Sequence, residues 1–174
     1  MSEFEFGLER LAQAYYRWKA ACLAAVCDIP LSGDDVAVLN VVRMGDEPKR
    51  LSEIGQLLNR VDVPNLQYAT RKLVRSGLIE TEGGSSRKET RYLTTATGRS
   101  VTEAYATLRA ATLPPMLDAL DGWGKKSDAT RNQMDLISSL YAQAAQTAIT
   151  RRHQPESRQA HSPLRKTATR RPSA

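Results

Sequence analysis

The chain has 174 residues, 41% hydrophobic and 25% charged, which is typical of one soluble globular domain. Two cysteines without the spacing of a disulfide framework favour a reducing compartment. Since no apolar run approaches the roughly 18 residues of a membrane span and the N-terminus is acidic, unlike a signal peptide, we expect a cytoplasmic protein with no membrane association.

Positive charge is concentrated in two parts of the chain. Residues 1–149 contain 18 basic and 18 acidic residues, whereas residues 150–174 contain seven basic residues and one acidic residue. Within the balanced part, residues 59–91 carry seven basic and four acidic residues. This distribution favours a polyanionic partner that contacts residues 59–91 and the C-terminal tail.

The first part of the chain predicts two helices. Ser32 begins the second helix, with Asp34 and Asp35 in its first turn, where carboxylates suit the positive end of the helix dipole. Pro30 ends the first helix, because proline disfavours helical conformation in the residue before it. Apolar residues three or four apart give that helix one apolar face, the N-terminal stripe: Leu8, Leu11, Tyr15, Trp18, Cys22 and Val26.

Residues 51–98 carry the most informative pattern in the chain: helix, turn, helix, strand, basic loop and strand. The helices are predicted at 51–58 and 63–75, and the strands at 78–82 and 91–94. This is the order of a winged helix, in which one helix enters the major groove of DNA and the hairpin contacts the neighbouring backbone.

Two residues are predicted to shape this motif. Gly55 lies in the middle of the first helix, where glycine costs about 1 kcal/mol relative to alanine, so we expect it to let the second helix approach closely. Asp62 is predicted to cap the second helix, and Pro64 falls in its first turn, where a missing N–H is harmless.

After the motif, Thr95 or Thr97 is predicted to cap another helix. Pro114 and Pro115 are predicted to interrupt this helix or to start a new segment, because proline breaks the helical hydrogen-bond ladder. A turn is predicted at 122–126. A last helix from Asp128 to about Ile149 carries a second apolar face, the C-terminal stripe: Met134, Ile137, Tyr141, Ala144 and Ala148. Residues 150–174 have almost nothing to bury and are interpreted as a disordered basic tail.

The candidate DNA contacts follow from the helical period of residues 63–75. Amide side chains can bind adenine and arginine can bind guanine, so the outward edge supplies the candidate base contacts: Pro64, Asn65, Gln67, Tyr68 and Arg71. Basic residues at the flanks and at the hairpin tip are candidate contacts to phosphate or the minor groove: Arg60, Lys72, Arg75, Arg87 and Lys88. A solvated helix face and a polar turn are the alternative interpretation.

Four segments of the chain resemble the multiple-antibiotic-resistance regulator (MarR) family: 39–43, 52–58, 71–79 and 95–99. The resemblance implies a mainly α fold with a small β-hairpin wing, a winged helix-turn-helix flanked by N- and C-terminal dimerisation helices. It also implies a homodimer, a recognition helix that includes Asn65 and Arg71, a wing-tip arginine at Arg87, and a small aromatic or anionic effector between the head and the dimerisation helices. The turn at 59–63 is one residue longer than is usual in the family, and Ser86 stands where the family has an aspartate.

Four parts of the chain are therefore expected: an N-terminal dimerisation helix (1–31), a DNA-binding head (32–99), C-terminal dimerisation helices (100–149) and the disordered basic tail (150–174). The two apolar stripes flank a head too small to cover both, and pairing of two copies is the ordinary solution. It would place two recognition helices about 34 Å apart. Closure of a monomeric core is the alternative.

A candidate ligand pocket is predicted where the head meets the flanking helices: Tyr15, Trp18, Arg43, Tyr105 and Arg109. An arginine there can pair with a carboxylate ligand, although Arg43 can equally serve as a structural ion-pair partner. Cys22 is either a small buried apolar residue or, by the resemblance, a redox-active thiol. No metal or cofactor is expected, because His153 and His161 lie in the tail, far from other ligand residues.

These observations predict a dimeric transcriptional regulator that binds a palindromic double-stranded DNA operator in the nucleoid and acts as a ligand-responsive repressor. No catalytic motif is present, so we do not expect an enzyme. The alternative is a non-specific architectural DNA-binding protein or a protein-interaction winged helix that uses the Arg-rich tail, which can hold any duplex by counterion release.

Overall fold

The computed structural model of the chain describes residues 2–83 and 89–152. It forms two units, Met1–Leu120 and Asp121–Ala174. The second unit contains α6 (Trp123–Arg152). The first unit contains, in chain order, α1 (Glu3–Ala24), α2 (Gly33–Arg43), a short 3-10 helix (Met44–Asp46), β1 (Lys49–Arg50), α3 (Leu51–Leu57), α4 (Val63–Arg75), β2 (Ile79–Glu82), β3 (Arg91–Thr94) and α5 (Ala96–Asp118). The predicted fold class, mainly α with a small hairpin wing, is confirmed.

The first two helices both begin with a capping box. The Ser2 hydroxyl accepts a hydrogen bond from the backbone N–H of Glu5 at 3.2 Å, and the Glu5 carboxylate accepts one from the Ser2 backbone at 2.7 Å. Ser32 and Asp35 repeat the arrangement at 3.2 and 2.8 Å, so the predicted start of α2 is confirmed. Each box satisfies backbone donors that the first helical turn leaves unpaired.

α5 is continuous, and the predicted interruption at Pro114 and Pro115 is wrong. The helix begins at the predicted cap, where the Thr95 hydroxyl accepts a hydrogen bond from the backbone of Gly98 at 3.0 Å. The two prolines remove the N–H donors that would otherwise reach the carbonyls of Ala110 and Ala111. Both alanines are exposed, so water can satisfy those carbonyls and the helix continues.

β3 lies between β1 and β2 in a three-stranded antiparallel sheet. The hairpin pairs Ile79 with Thr94 and Glu82 with Arg91, within one residue of the predicted strands. β1 adds a third strand through the pair Lys49 and Tyr92. The sequence did not predict β1, because two residues are too few to show an alternating pattern.

The core of the first unit joins the winged helix to the C-terminal half of α1. Gly98 allows α5 to approach the chain between α4 and β2, since a Cβ at this position would lie 1.9 Å from the carbonyl oxygen of Leu78. The N-terminal stripe changes along its length: Cys22 is buried against the core, whereas Leu8 and Leu11 are exposed. The largest fully buried side chains include Leu23, Val36, Leu39, Val42, Ile54, Leu66, Leu73, Leu78, Ile79 and Tyr105.

α6 is a single helix of 30 residues and is longer than predicted at both ends. The turn lies at residues 119–122 and ends at Gly122, which has a φ of 70°, so residues 123–126 are helical rather than part of a turn. Residues 150–152 of the predicted disordered tail are also helical, and the rest of that tail lies outside the described residues. No α6 residue with a described side chain is buried, and no described helix is long and apolar enough to cross a membrane.

Candidate nucleic-acid interface

α3 and α4 pack together through Gly55, as predicted. A Cβ at this position would lie 3.1 Å from the carbonyl oxygen of Arg60 and 3.2 Å from Cδ1 of Leu66. Helical spacing places Leu57 beside Ile54 on the inner face, but α3 ends at Leu57 and its side chain is exposed. Leu58 packs against the core instead. The glycine thus sets how closely the two helices of the motif approach.

α4 has one buried edge and one exposed edge. Leu66, Ala69, Thr70 and Leu73 are buried, and the Thr70 hydroxyl donates to the carbonyl oxygen of Leu66 at 3.0 Å. Burial of this threonine therefore leaves its hydroxyl satisfied. The opposite edge carries the candidate base contacts, of which only Gln67 is partly buried: Pro64, Asn65, Gln67, Tyr68 and Arg71. This edge is open to a partner from solution.

Two of these polar side chains hydrogen-bond along α4 itself. Asn65 Nδ2 donates to the Asp62 carboxylate at 3.0 Å, and Arg71 Nε donates to the carbonyl oxygen of Gln67 at 3.1 Å. Neither bond joins the exposed edge to another part of the fold. Both side chains can exchange these bonds for bonds to a base, at a small net cost in free energy.

The turn between α3 and α4 is held by charged side chains. The Arg60 guanidinium donates to both carboxylate oxygens of Asp62 at 2.9 and 2.6 Å, and it lies 3.4 Å from the carboxylate of Asp34. Arg60, and after it the Asn65 amide, hold the pKa of the Asp62 carboxyl well below its ordinary 3.8. The network fixes the chain between the two helices of the motif.

Asp62 stands at the N-cap position of α4, but the prediction that its side chain caps the helix is wrong. The carboxylate binds the Arg60 guanidinium in a bidentate pair, which is stronger than a bond to a neutral backbone N–H. Pro64 in the first turn lowers the number of backbone donors that need a partner.

The predicted phosphate contacts differ in how far the protein neutralises them. Lys72 Nζ donates to the buried Asp35 carboxylate at 2.8 Å, so this ion pair joins α4 to the start of α2. Arg60 is paired with acidic residues as described above. Arg75 is exposed, and its Nε donates to the carbonyl oxygen of Arg71 at 3.3 Å. Among these three, Arg75 presents its charge most directly to solvent, and all three stay predictions as DNA contacts.

The wing is described as far as its strands. Glu80, Thr81 and Glu82 of β2 are exposed. Arg87 and Lys88, the candidate contacts at the hairpin tip, lie outside the described residues. Their role stays a prediction from the sequence.

Four of the five candidate pocket residues come together on α1 and α5. The Arg109 guanidinium lies 4.6 Å from the centroid of the Trp18 ring and 5.2 Å from that of the Tyr105 ring. The rings of Tyr15 and Trp18 are 6.3 Å apart. Within the described residues, Tyr105 Oη and Arg109 Nε are buried and make no hydrogen bond of ordinary geometry. A hydroxyl and a guanidinium beside aromatic faces form a site chemically suited to a carboxylate.

Arg43, the fifth candidate, has acidic partners of its own. Its guanidinium lies 2.5 Å from the Asp46 carboxylate and 3.4 Å from that of Glu103. This is the structural ion-pair role that the sequence analysis gave as the alternative. Through Glu103, the pair joins the end of α2 to α5.

Lys19 was not among the predicted pocket residues. Its side chain is buried, and Nζ lies 4.5 and 4.1 Å from the ring centroids of Tyr15 and Tyr16. Burial lowers the pKa of the Lys19 ammonium group, and the Asp34 carboxylate acts in the opposite direction. The two tyrosines precede Lys19 by four and three residues, a helical spacing that could have indicated the contact.

Cys22 lies inside the core and is only 6% exposed. It and Cys27 are both free thiols. Reactive thiols usually have access to solvent, so this burial favours a packing role for Cys22, and redox sensing stays a prediction. Within the described residues, no group of three or more His, Cys, Asp or Glu side chains could hold a metal ion.

Residues 31–98 match the family of winged helix DNA-binding domains. The match begins just before α2 and ends in the first turn of α5, so it contains α4 and the wing strands. No curated protein matches the chain.

Solved structures extend the similarity beyond the head. The S. aureus MepR–DNA complex is 14% identical at a TM-score of 0.63, covering 79% of this chain and 96% of that chain. S. aureus MarR in complex with salicylate and kanamycin is 15% identical at a TM-score of 0.66, covering 81% of this chain and 91% of that chain. The M. tuberculosis transcriptional regulator MOSR in complex with DNA is 17% identical at a TM-score of 0.61, covering 82% of this chain and 96% of that chain. The chain has the MarR fold, as the sequence resemblance implied.

Proposed function

We propose that this chain, whose residues 31–98 form a winged helix DNA-binding domain, is a MarR-family transcriptional regulator that binds a palindromic operator as a homodimer. The observation that carries the proposal is the division of α4 into two edges. Leu66 and Leu73 hold one edge in the core, while Asn65, Tyr68 and Arg71 stand exposed on the other. A helix anchored in this way can enter a major groove without unfolding any of its packing.

Exposed apolar side chains on α1 and on α6 support the homodimer. Phe4 and Leu11 of α1 are more than half exposed. On α6, considered separately, Met134 and Leu140 are also more than half exposed. Large apolar side chains exposed to water favour association, and a second copy of the chain supplies matching side chains by symmetry.

Selection from a pool of random DNA duplexes with the full-length protein tests this proposal. We expect enrichment of an inverted repeat whose half-sites are centred about ten base pairs apart, one helical turn. Enrichment of an unrepeated sequence would contradict the homodimer on a palindrome, and recovery of the unselected pool would contradict sequence-specific binding.

A non-specific architectural role is the second candidate, and the observation that favours it is the basic charge beyond α6. Deletion of residues 153–174 separates the two functions while keeping α6 whole. For a specific regulator, the selected sequence stays preferred and only the affinity and its salt dependence fall. For an architectural protein, binding to every duplex falls together.

The aromatic and cationic cluster on α1 and α5 supports control by a small aromatic carboxylate, and hence repression that the ligand relieves. Salicylate is a suitable probe, because its ring can lie on Trp18 and its carboxylate can pair with Arg109. We expect salicylate to weaken operator binding, and Arg109→Met to reduce this response. Arg43→Met is the matched control, since Arg43 is paired with Asp46 and Glu103. An equal response in all three proteins would contradict the assigned site.

A further inference from the structure

Val61 lies in the turn between α3 and α4 and is 90% exposed, more than any other large hydrophobic residue in the described part of the chain. It is not an isolated case, since Val63 and Tyr68 nearby in the sequence are also exposed. A single apolar side chain on a surface is ordinary, so the position and the rigidity of Val61 decide what it can do.

The turn that carries Val61 is held by backbone hydrogen bonds on both sides. The backbone N–H of Arg60 donates to the carbonyl oxygen of Gly55 at 2.8 Å, and that of Val63 donates to Val61 at 3.0 Å. The second bond closes a three-residue turn centred on Asp62, whose φ of −82° and ψ of 70° are those of an inverse γ-turn. The direction of Val61 is therefore set before any ligand binds.

Side chains fix the same turn. The two residues that flank Val61, Arg60 and Asp62, are bound to each other by two hydrogen bonds of 2.9 and 2.6 Å. Arg60 is also anchored beside Asp34, at 3.4 Å. With both neighbours held against the protein, the residue between them projects into solvent, and holding it there on binding costs little conformational entropy.

This rigid projection lies at the N-terminal end of α4. In helix-turn-helix proteins the N-terminal residues of the recognition helix contact the edges of the bases. A valine side chain has no hydrogen-bond donor for a phosphate or for a base acceptor. The group in the major groove that an apolar side chain recognises is the C5-methyl group of thymine.

We propose that Val61 is a specificity-determining residue that packs against a thymine methyl group in each half-site of the operator, with Val63 extending the apolar contact. This inference rests on the proposed function, because it requires that α4 enters the major groove. It assigns a thymine to the base pair of each half-site that lies beside the start of α4. It also gives Arg60 a positioning role in the turn.

Replacement of thymine by deoxyuridine tests the contact, because it removes the C5-methyl group and leaves every hydrogen-bonding group in place. Each thymine of the selected operator is replaced singly, and binding of the full-length protein is measured. Loss of one buried methyl group, about 0.8 kcal/mol, corresponds to a loss of about fourfold in affinity. We expect this loss at one symmetry-related position in each half-site.

The variant Val61→Ala completes a double-mutant cycle with the same duplexes. It is expected to bind the thymine and deoxyuridine operators equally, at about the affinity of the wild-type protein for a duplex in which both symmetry-related thymines are replaced. Met44→Ala is the matched control, because Met44 is also exposed and lies at the opposite end of α2 from Asp34. It is expected to keep the full preference for thymine.

Two results would overturn the inference while leaving the proposed function intact: operator binding that no deoxyuridine substitution weakens, or a Val61→Ala protein that keeps the wild-type preference. Absence of any selected duplex would instead remove the proposed function, and this inference with it. The wild-type measurement needs no variant, so a folding defect in Val61→Ala would not hide the outcome.

Discussion

The winged helix and α6 differ in how much of their apolar surface is buried within one chain. The winged helix buries Ile54, Leu66, Leu73 and Leu78 completely and joins its turn and helices by ion pairs. α6 is longer than any element of the winged helix, yet none of its described side chains is buried. A helix in water owes most of its stability to tertiary packing of its apolar face. The winged helix thus has its packing within the chain, while the described side chains of α6 stay exposed or only partly buried.

The same difference is visible within α1. Its N-terminal half exposes Phe4, Leu8 and Leu11, while Cys22 and Leu23 near its end lie in the core. One helix therefore belongs to the packed region at one end and exposes apolar side chains at the other. The boundary between packed and exposed structure thus runs through α1 rather than between two elements.

The largest expected effect comes from placing a charge on the C-terminal stripe. Ile137→Arg is expected to convert the proposed dimer to a monomer and to weaken operator binding by about a hundredfold or more, because two linked half-sites no longer bind together. Gln146→Arg, nine residues and half a turn round α6, is the matched control. Light scattering after gel filtration measures the mass of each variant, and a DNA titration measures its affinity for the operator. If the Ile137→Arg protein stayed dimeric, the C-terminal stripe would not be the dimer contact.

Glycine substitutions compare the packing of the two regions directly. Gly98→Ala places a methyl group against the Leu78 carbonyl and is expected to lower the free energy of unfolding by about 3 kcal/mol. Gly124→Ala on α6 meets nothing within 4 Å and is expected to raise helix stability by up to about 1 kcal/mol. Urea denaturation of each variant measures the effect. Equal destabilisation would mean that Gly124 is also in a packed environment.

Within the winged helix, Arg71 and Arg75 separate base contacts from phosphate contacts. Arg71→Ala is expected to weaken operator binding by about 1–3 kcal/mol and to relax the preference at one base pair. Arg75→Ala is expected to weaken binding to all duplexes alike and to lower the salt slope by about one. Titrations of selected and scrambled duplexes at several salt concentrations provide the measurement. If Arg71→Ala bound the operator with wild-type affinity, this would contradict a contact between α4 and DNA.

The smallest expected effect is the acid dependence of the α3–α4 turn. Because Arg60 keeps the pKa of Asp62 below its ordinary 3.8, the ionised carboxylate stabilises the fold above about pH 4, and this contribution is lost as the pH falls further. Asp62→Asn is therefore expected to cost less than about 1 kcal/mol at pH 7, with the difference shrinking below pH 4. Asp128→Asn, in an exposed pair on α6, is the control. A cost that does not change with pH would contradict the Arg60–Asp62 pair.

Patterns local in sequence predicted the winged helix closely. The limits of α4, the two hairpin strands, the cap at Ser32 and the close approach at Gly55 all follow from residues a few positions apart. Helical period, strand alternation and caps are short-range properties, so a single sequence is enough to recognise them. The open edge of α4 follows from the same period.

Contacts between distant residues were decided by the tertiary structure alone. Lys72 binds Asp35, and Arg60 lies beside Asp34, because packing brings α2 together with α4 and the turn before it. The sequence likewise determined that Val61 follows Arg60, but only the folded turn holds both neighbours inward and leaves this valine exposed. The sequence by itself thus determined which helices and strands form. The fold decided which charged groups neutralise one another and which side chains remain for a partner, since that choice depends on distances between elements.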